Sequence, residues 1–276
     1  MEFRPAAAGP EQIAAYSDLL TTVFGRQAKF DTEALAWRYG HNPMGSVVGV
    51  DAWAGETLCA HYVTSPMDAH VEGRPLRGLV SLNTATHPDS RGRGLFIQLA
   101  LETYVRAAAA RYDFVIGVAN ANSTPGFVRH LGFQLVRPLE AGLLARTPRL
   151  FADAPVQFEG VWSTETLHWR LANPAARYRT ARSGDLTAIW TPTALPAVNC
   201  VAFLHGRGPD GRKPRGASLW MGLEPRLDLR SLGYAPLPKR LRPSPLNLIY
   251  KPLSERAPPV LDPERTAFNF LDFDPY

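Results

Sequence analysis

Six residues near the middle of the chain have the composition of an anion-binding turn. They read Arg91-Gly92-Arg93-Gly94-Leu95-Phe96, and apolar residues at helical spacing follow them. A helix that begins near Arg93 or Gly94 leaves its first backbone N–H groups without carbonyl partners, and glycine lets a ligand approach that backbone closely. Arg91 and Arg93 can donate charge-assisted hydrogen bonds to phosphate oxygens. The turn therefore predicts a phosphate site, with an ordinary turn into a helix as the alternative interpretation.

The elements expected on either side place this turn at a strand–helix–strand crossover on a mixed sheet. Apolar spacing, turn residues and Asn-Pro stops define them. In chain order they are a short opening strand, helices over 9–24 and 31–43, two β runs within 46–66 that turn at Gly55-Glu56, a hairpin within 68–88 that turns at Glu72-Gly73, a helix with apolar positions from Leu95 to Ala108, a buried strand over 112–119, a short helix within 122–133 and a strand over 133–139.

The segments around the turn resemble a known family. They read THPDSRGRGLFIQLALETY over 86–104 and FVIGVANANSTPGFVRHLGF over 114–133. Together they resemble the GNAT superfamily of acyl-CoA-dependent N-acyltransferases, over 79–138 at the level of motifs and over 1–145 in the order of elements. The resemblance implies a mixed, mostly antiparallel sheet with flanking helices, a fold of the α/β (α+β) class.

The resemblance assigns cofactor contacts to particular residues. In the family, backbone amides of the loop bind the CoA pyrophosphate, and the preceding strand lends backbone groups to the acyl-pantetheine arm. It implies that acetyl-CoA or another acyl-CoA is the co-substrate here. Phe96 departs from the family pattern, which has a small residue at that position. The implied cofactor-binding residues are Thr86, Arg91, Gly92, Arg93, Gly94, Leu95, Phe96, Asn120 and Asn122.

A second departure concerns proton transfer. The family's frequent general acid is a tyrosine, and Val128 stands at the matching position. A thiol with a pKa of about 8.5 is a moderate leaving group without a donor, so water or another side chain can serve. The resemblance places Asn83 on the strand beside the substrate cleft, where it is expected to orient the acceptor. His61 and Tyr62 are the other catalytic candidates, with core packing as their alternative role. The wider set of candidates adds His87, a possible loop cap, Tyr104, and His130, a possible surface residue.

Composition narrows the class of protein. The chain has 276 residues, 45% hydrophobic and 20% charged, and no apolar run long enough for a signal peptide or a membrane span. Cys59 and Cys200 are the only cysteines, and neither belongs to a CxxC motif or a His-rich cluster, which favours a reducing cytoplasm and argues against a metal site. A net charge of +5 favours an anionic partner such as a phosphorylated cofactor. Nucleic-acid motifs are missing, so the basic run Lys239 to Arg242 is expected to be solvated surface.

The second half echoes the first. LAWRYGHNP at 35–43 recurs as LHWRLANP at 167–174, and LGF at 131–133 recurs as LGY at 232–234. Two echoes in the same order favour a degenerate duplication, with domains at 1–148 and 149–276. The Pro- and Gly-rich segment 205–216 fits a long hairpin and not a second cofactor loop. Strands are expected at 177–191, 198–205, 217–222, 246–252 and 267–273.

The second half is expected to complete the acceptor site and to bind no CoA of its own. Tandem GNAT proteins of this size resemble acyltransferases that modify amino sugars, often nucleotide-linked. The predicted partner is therefore a small-molecule amine, without nucleic acid or membrane, for a monomer or homodimer. Two alternatives stay open: another amine (an antibiotic, a polyamine or a protein N-terminus), or a non-catalytic module that binds CoA or a sugar nucleotide. Donors in the second half are Trp169, Arg170, Tyr178, Arg179, His205, Arg207, Asn247 and Lys251.

Overall fold

The computed structural model describes residues 1–206, 208–238 and 245–275. Arg207 and the basic run Lys239 to Arg242 lie outside the described residues. In the first half the elements follow the order expected from the sequence. They are β1 (Glu2–Pro5), α1 (Pro10–Phe24), α2 (Thr32–Gly40), β2 (Val48–Ala54), β3 (Thr57–Val71), β4 (Arg74–Thr86), α3 (Leu95–Ala109), β5 (Phe114–Ala119), a π-helical turn (Gly126–His130), β6 (Gln134–Pro138) and β7 (Glu140–Leu144).

The hairpin turn between β3 and β4 forms where the sequence predicts it. Glu72 and Gly73 have φ values of 52° and 75°, the left-handed pair that a two-residue type I′ turn requires. The strand before the turn is longer than the pattern indicates, because β3 continues through Pro66 and pairs with β4 as far as Val71. The two long strands form the centre of the first-half sheet.

Helices cover both faces of this sheet. On one face, the buried side of α3 packs against β2, β3 and β5 through Leu99, Ala100 and Ala107. On the other face, α1 and α2 bury an aromatic and aliphatic layer that contacts Val63 and Ala85. The turn before α3 therefore lies at the end of β4, and the helix that follows it packs its buried side on the sheet.

The two halves of the chain exchange one strand each. The second-half strand β14 (Asn247–Pro252) lies between β5 and β6, antiparallel to both. The first-half strand β7 lies between β12 (Ala217–Leu223) and β13 (Tyr234–Pro236), again antiparallel to both. Because β4–β5 and β11 (Val198–His205)–β12 are both parallel pairs, the same arrangement occurs twice. This topology supports a duplication. Each half also contributes one strand to the sheet of the other half, so strand pairing crosses the domain boundary expected at 148–149.

The echoed helices α2 and α4 (Thr164–Leu171) meet between the halves. The indole rings of Trp37 and Trp169 stack with their centroids 4.5 Å apart. The neighbouring guanidinium groups, Arg38 and Arg170, each donate to the Asp274 carboxylate at 2.6 Å. The repeated Trp-Arg pair therefore forms a second contact between the halves, in addition to the exchanged strands.

Three sequence expectations for the second half are wrong. Residues 177–191 form two strands joined at Gly184, not one strand, and 267–273 form a short strand followed by a helical turn. The segment 205–216 does not close a hairpin, because β11 and β12 are parallel. The remaining elements are β8 (Phe158–Gly160), β9 (Arg179–Ser183), β10 (Leu186–Pro192), β15 (Thr266–Asn269) and α5 (Phe270–Phe273).

The tail of the chain fills the split between β11 and β12. These strands pair over Val198–Val201 and Ala217–Trp220. Beyond that point β12 pairs with β15 instead, Gly222 opposite Asn269. A Cβ on Gly222 would lie 2.6 Å from the Phe268 carbonyl oxygen, so glycine permits this close approach. In the first half the corresponding split between β4 and β5 stays open. Within the described residues, no helix is long and apolar enough to cross a membrane.

Candidate active site

The open split between β4 and β5 forms a cleft of about 670 Å³. The two strands pair in parallel over Gly78–Ser81 and Phe114–Gly117, and then they diverge. The cleft extends from the turn before α3, past the ends of both strands, to the segment between α1 and α2. Six of the predicted site residues line it: Asn83, Thr86, Arg91, Phe96, Asn120 and Asn122.

The turn at one end of the cleft presents a run of free backbone amides. Gly92 and Gly94 have φ values of 75° and 69°, and α3 begins directly afterwards at Leu95. In the described part of the chain, the backbone amides from Gly92 to Phe96 donate to no protein acceptor. Gln98 Nε2 donates to the Arg93 carbonyl at 3.0 Å and holds the turn closed. Free amides at a helix N-terminus with Arg91 beside them fit a pyrophosphate.

The loop after β5 forms the opposite side of the same end. Asn120 Oδ1 accepts hydrogen bonds from the amides of Asn122 and Ser123 at 3.0 and 2.9 Å, which gives the loop its tight turn. Asn247 of β14 donates to Thr124 Oγ1 at 2.8 Å. The exchanged second-half strand therefore braces the loop that carries Asn120 and Asn122.

Phe96, the departure from the family pattern, has a matched partner. Its ring lies where a Cβ on Gly126 would approach to 2.6 Å, and it packs edge-on against Phe127 at 5.0 Å. Gly126 thus makes room for the ring of Phe96. The GNAT family pattern has a small residue at the position of Phe96. Phe127 and Phe96 both line the cleft, next to the turn in which Val128 stands in place of a tyrosine.

Asn83 lies in a β-bulge at the centre of the cleft. Tyr62 on β3 faces two residues of β4, Asn83 and Thr84, because the register shifts there. Asn83 has a φ of 46°, a conformation that asparagine adopts more readily than most residues. Bulges next to active sites re-aim a side chain. The bulge explains how Asn83 comes to line the cleft.

A chain of buried hydrogen bonds extends behind Asn83. Asn83 Nδ2 lies 3.0 Å from the Tyr39 hydroxyl, which lies 2.9 Å from His61 Nε2. His61 Nδ1 lies 2.6 Å from Asp51 Oδ1, and Asp51 Oδ2 accepts from the Tyr16 hydroxyl at 2.6 Å. Tyr39 and His61 are completely buried.

With a neutral His61, the carboxylate at the far end sets the direction of the bonds in this chain. A carboxylate can only accept, so His61 donates from Nδ1, and the neutral imidazole accepts at Nε2. The Tyr39 hydroxyl then donates to His61 and accepts from Asn83 Nδ2. Burial raises the pKa of Tyr39, so the phenol keeps the proton that it donates. The Asn83 amide is therefore held in one orientation, in which Nδ2 is engaged with Tyr39.

The other proton-transfer candidates have structural partners. His61 and Tyr62 are both buried behind the wall of the cleft. The Tyr62 hydroxyl contacts Ser81 Oγ at 3.0 Å and the Tyr104 hydroxyl at 2.6 Å, and burial raises its pKa to about 12. His87 Nδ1 accepts from the Asp89 amide and caps the turn, while His130 is exposed.

Sequence reasoning missed Tyr39, Asp51 and the cleft wall between Val23 and Phe30, which is mixed apolar and polar. The signal for Asp51 was present, since a carboxylate within the apolar run VVGVDAWA needs a buried partner. Most donors expected from the second half lie elsewhere. Leu246 is the described second-half residue that lines the cleft, and the Pro275 carbonyl accepts a hydrogen bond from the lining residue Lys29.

Comparison with known families agrees with this geometry. Residues 3–136 match the family model described as an acetyltransferase (GNAT) domain. This part of the chain is a GNAT domain. Together with the amide-lined turn and the open split, this match supports an acyl-CoA-dependent N-acyltransferase. None of the curated proteins compared with the chain matches it.

Solved structures share the fold beyond the GNAT domain. One is a GCN5-related N-acetyltransferase from Anabaena variabilis ATCC 29413, with a TM-score of 0.61 and 12% identity over 92% of this chain and 73% of that one. Another, from Kribbella flavida, has a TM-score of 0.61 and 12% identity over 90% and 70%. Eis1 from Mycobacterium abscessus has a TM-score of 0.57 and 10% identity over 92% and 74%. At these identities the likeness establishes the fold, including the second half.

Proposed function

We propose that the protein transfers an acetyl group from acetyl-CoA to the primary amine of an amino sugar or a nucleotide-linked amino sugar. The observation that carries the proposal is Asn83, fixed in one orientation beside the cleft that begins at the amide-lined turn. Gln27, Asn83 and Thr84 offer amide and hydroxyl groups to the sugar hydroxyls, and Phe24 and Phe30 offer flat apolar surfaces. This mixture of polar and aromatic groups suits a hydroxyl-rich ring better than a long apolar amine.

The transfer is direct. The amine nitrogen attacks the thioester carbonyl carbon, the C–S bond breaks, and CoA leaves as a thiolate that takes up a proton. Asn83 Oδ1 accepts an N–H of the amine and aims its lone pair at the carbonyl. The thiolate takes up its proton from water, since Val128 stands at the position of the family's tyrosine general acid, and the proton released from nitrogen passes to water as well. Cys59 and Cys200 are both buried and neither lines the cleft, which supports attack without an acyl-enzyme.

Thiol release tests the proposal. Wild-type protein with acetyl-CoA and glucosamine should release CoA and form N-acetylglucosamine in equal amounts. Gly94→Asp should abolish release and weaken CoA binding at least tenfold by calorimetry, because it places bulk and like charge beside the phosphates. Gly55→Asp is the matched control, since Gly55 is also left-handed and has open space around it but lies in the β2–β3 turn. Undiminished CoA affinity in folded Gly94→Asp would reject the site, and CoA binding without turnover would favour the non-catalytic module.

A further inference from the structure

The cleft is positively charged and contains no acidic side chain among its described residues. Its two charged lining residues are Arg91, beside the amide-lined turn, and Lys29, at the end between α1 and α2. Residues 239–244, next to Leu246, are outside the described structure, and their sequence contains no Asp or Glu. Arg91 lies beside the turn that is proposed to bind the cofactor phosphates, so among the described lining residues Lys29 is the cation left to face the acceptor.

Lys29 is a partly buried ammonium group with no salt bridge among the described residues. Its Nζ donates to the Pro275 carbonyl at 2.7 Å and lies 5.5 Å from the centre of the Phe30 ring. Burial lowers the pKa of Lys29, Arg38 lowers it further, and Asp274 opposes both. A partly desolvated cation gains most from an anion that can enter its site.

The nearest carboxylates cannot supply that anion. Asp274 Oδ2 is bound by Arg38, Arg170 and Asn173, and its side chain is 1% exposed. Asp51 lies behind Asn83 and Tyr39 and is also 1% exposed. Both carboxylates are committed to buried partners, and no described side chain forms a salt bridge with Lys29, so this end of the cleft can take the anionic group of a ligand.

The same charges exclude a polycation. A polyamine or an aminoglycoside carries several ammonium groups besides the one that reacts, and a site for it needs carboxylates to replace the lost hydration. Here such a ligand would bring like charges toward Lys29 without any carboxylate in the described wall to offset them. Like-charge contacts of this kind are a usual source of discrimination between partners.

We infer that the acceptor is a monoamine that carries an anionic oxygen group, a carboxylate or a phosphate, and that Lys29 binds this group at the α1–α2 end of the cleft. The inference rests on the proposed function, because it assigns the amine of one acceptor to Asn83 and the anionic group of the same acceptor to Lys29. The carbonyl of Pro275 fixes the ammonium in place, so the second half of the chain contributes to acceptor choice through Lys29.

Initial rates of thiol release with four amines test the inference: glucosamine 6-phosphate, glucosaminic acid, glucosamine and spermidine. The wild-type protein should have a higher kcat/KM for one or both anionic amines than for glucosamine, and the lowest for spermidine. Lys29→Gln keeps a donor for Pro275 but removes the charge, so it should reduce kcat/KM for the anionic amine about tenfold more than it reduces kcat/KM for glucosamine. Lys29→Arg should retain the preference. Lys213→Gln, an exposed lysine outside the cleft, is the control.

Two further outcomes separate this inference from the proposed function. A wild-type preference for spermidine, or an equal loss in Lys29→Gln for charged and neutral amines, would overturn the inference while acylation stands. If no amine is acylated, the proposed function fails, and calorimetry of glucosamine 6-phosphate with the CoA-loaded protein decides the inference. Binding that Lys29→Gln weakens about tenfold supports it, and binding that is absent or indifferent to Lys29 overturns it.

Discussion

The contact between the halves depends on one buried carboxylate, Asp274. The substitution Asp274→Asn should show how much this charge contributes to the free energy of unfolding. Asp274 Oδ2 accepts from Arg38 Nη2 and Arg170 Nη1, each at 2.6 Å, and from Asn173 Nδ2 at 2.9 Å. Its Oδ1 accepts from the Tyr178 hydroxyl at 2.9 Å. The two arginine side chains are 8% and 10% exposed, so both guanidinium groups depend on this charge.

The asparagine substitution isolates the charge. The amide oxygen of the introduced asparagine can still accept from the arginines, and the Tyr178 hydroxyl can turn to accept from the new amide nitrogen. Asparagine also tolerates the φ of 42° at this position. The change removes the carboxylate charge that the two buried arginines share, and breaking a buried ion pair costs about 3–5 kcal/mol. We expect the free energy of unfolding to fall by about 3 kcal/mol, at the low end of that range.

Urea unfolding followed by tryptophan fluorescence measures the loss, because Trp37 and Trp169 stack at the same contact. Glu264→Gln is the matched control. Glu264 also faces an arginine, Arg137, at 2.6 Å, but its side chain is 78% exposed, and an exposed pair contributes less than about 1 kcal/mol. A loss below about 1 kcal/mol in Asp274→Asn, equal to that in the control, would refute the argument that this charge holds the halves together.

Two other predictions concern buried groups. Burial raises the pKa of Asp272 to about 7 from its usual 3.8, so the folded state keeps a proton between about pH 4 and 7 that the unfolded chain has lost. The free energy of unfolding should therefore decrease by about 2–3 kcal/mol from pH 5 to 8, and Asp272→Asn should remove that slope in urea titrations at each pH. His61→Phe should release Tyr39 and with it the orientation of Asn83, which should lower kcat on the order of tenfold while CoA affinity stays unchanged. A parallel loss of CoA affinity, or an unchanged kcat, would contradict the second prediction.

Local signals in the sequence were enough for the cofactor end of the site. Each feature at this end depends on residues close to it in the sequence, so its geometry follows from backbone rules. The features are the glycines Gly92 and Gly94, the apolar period of α3 and the Asn-rich loop after β5. The turn at Glu72 and Gly73 is another case, because a two-residue hairpin of this type needs left-handed residues and few residues supply them. These features could be predicted because nothing distant in the chain competes with them.

The acceptor end was decided by tertiary structure. Asn83 was named from a family resemblance, but its bulge arises from the register between β3 and β4, and its orientation comes from Asp51 through Tyr39 and His61. No spacing rule brings these residues together, since they lie on different elements. The strand exchange likewise depends on partners far apart in the chain: β14 pairs with β5, and β7 pairs with β12.

The sequence by itself determined the order of elements in the first half and the position of the glycine-rich turn before α3, because each follows from local backbone preference and hydrophobic period. The fold class followed from the family resemblance. Only the tertiary structure decided that the tail fills the second split, that Asp274 binds both echoed arginines, and that Lys29 faces a cleft without described carboxylates. Those outcomes depend on which charges and strand edges become neighbours after folding. A one-dimensional pattern records each residue's type but not the partner that burial assigns to it.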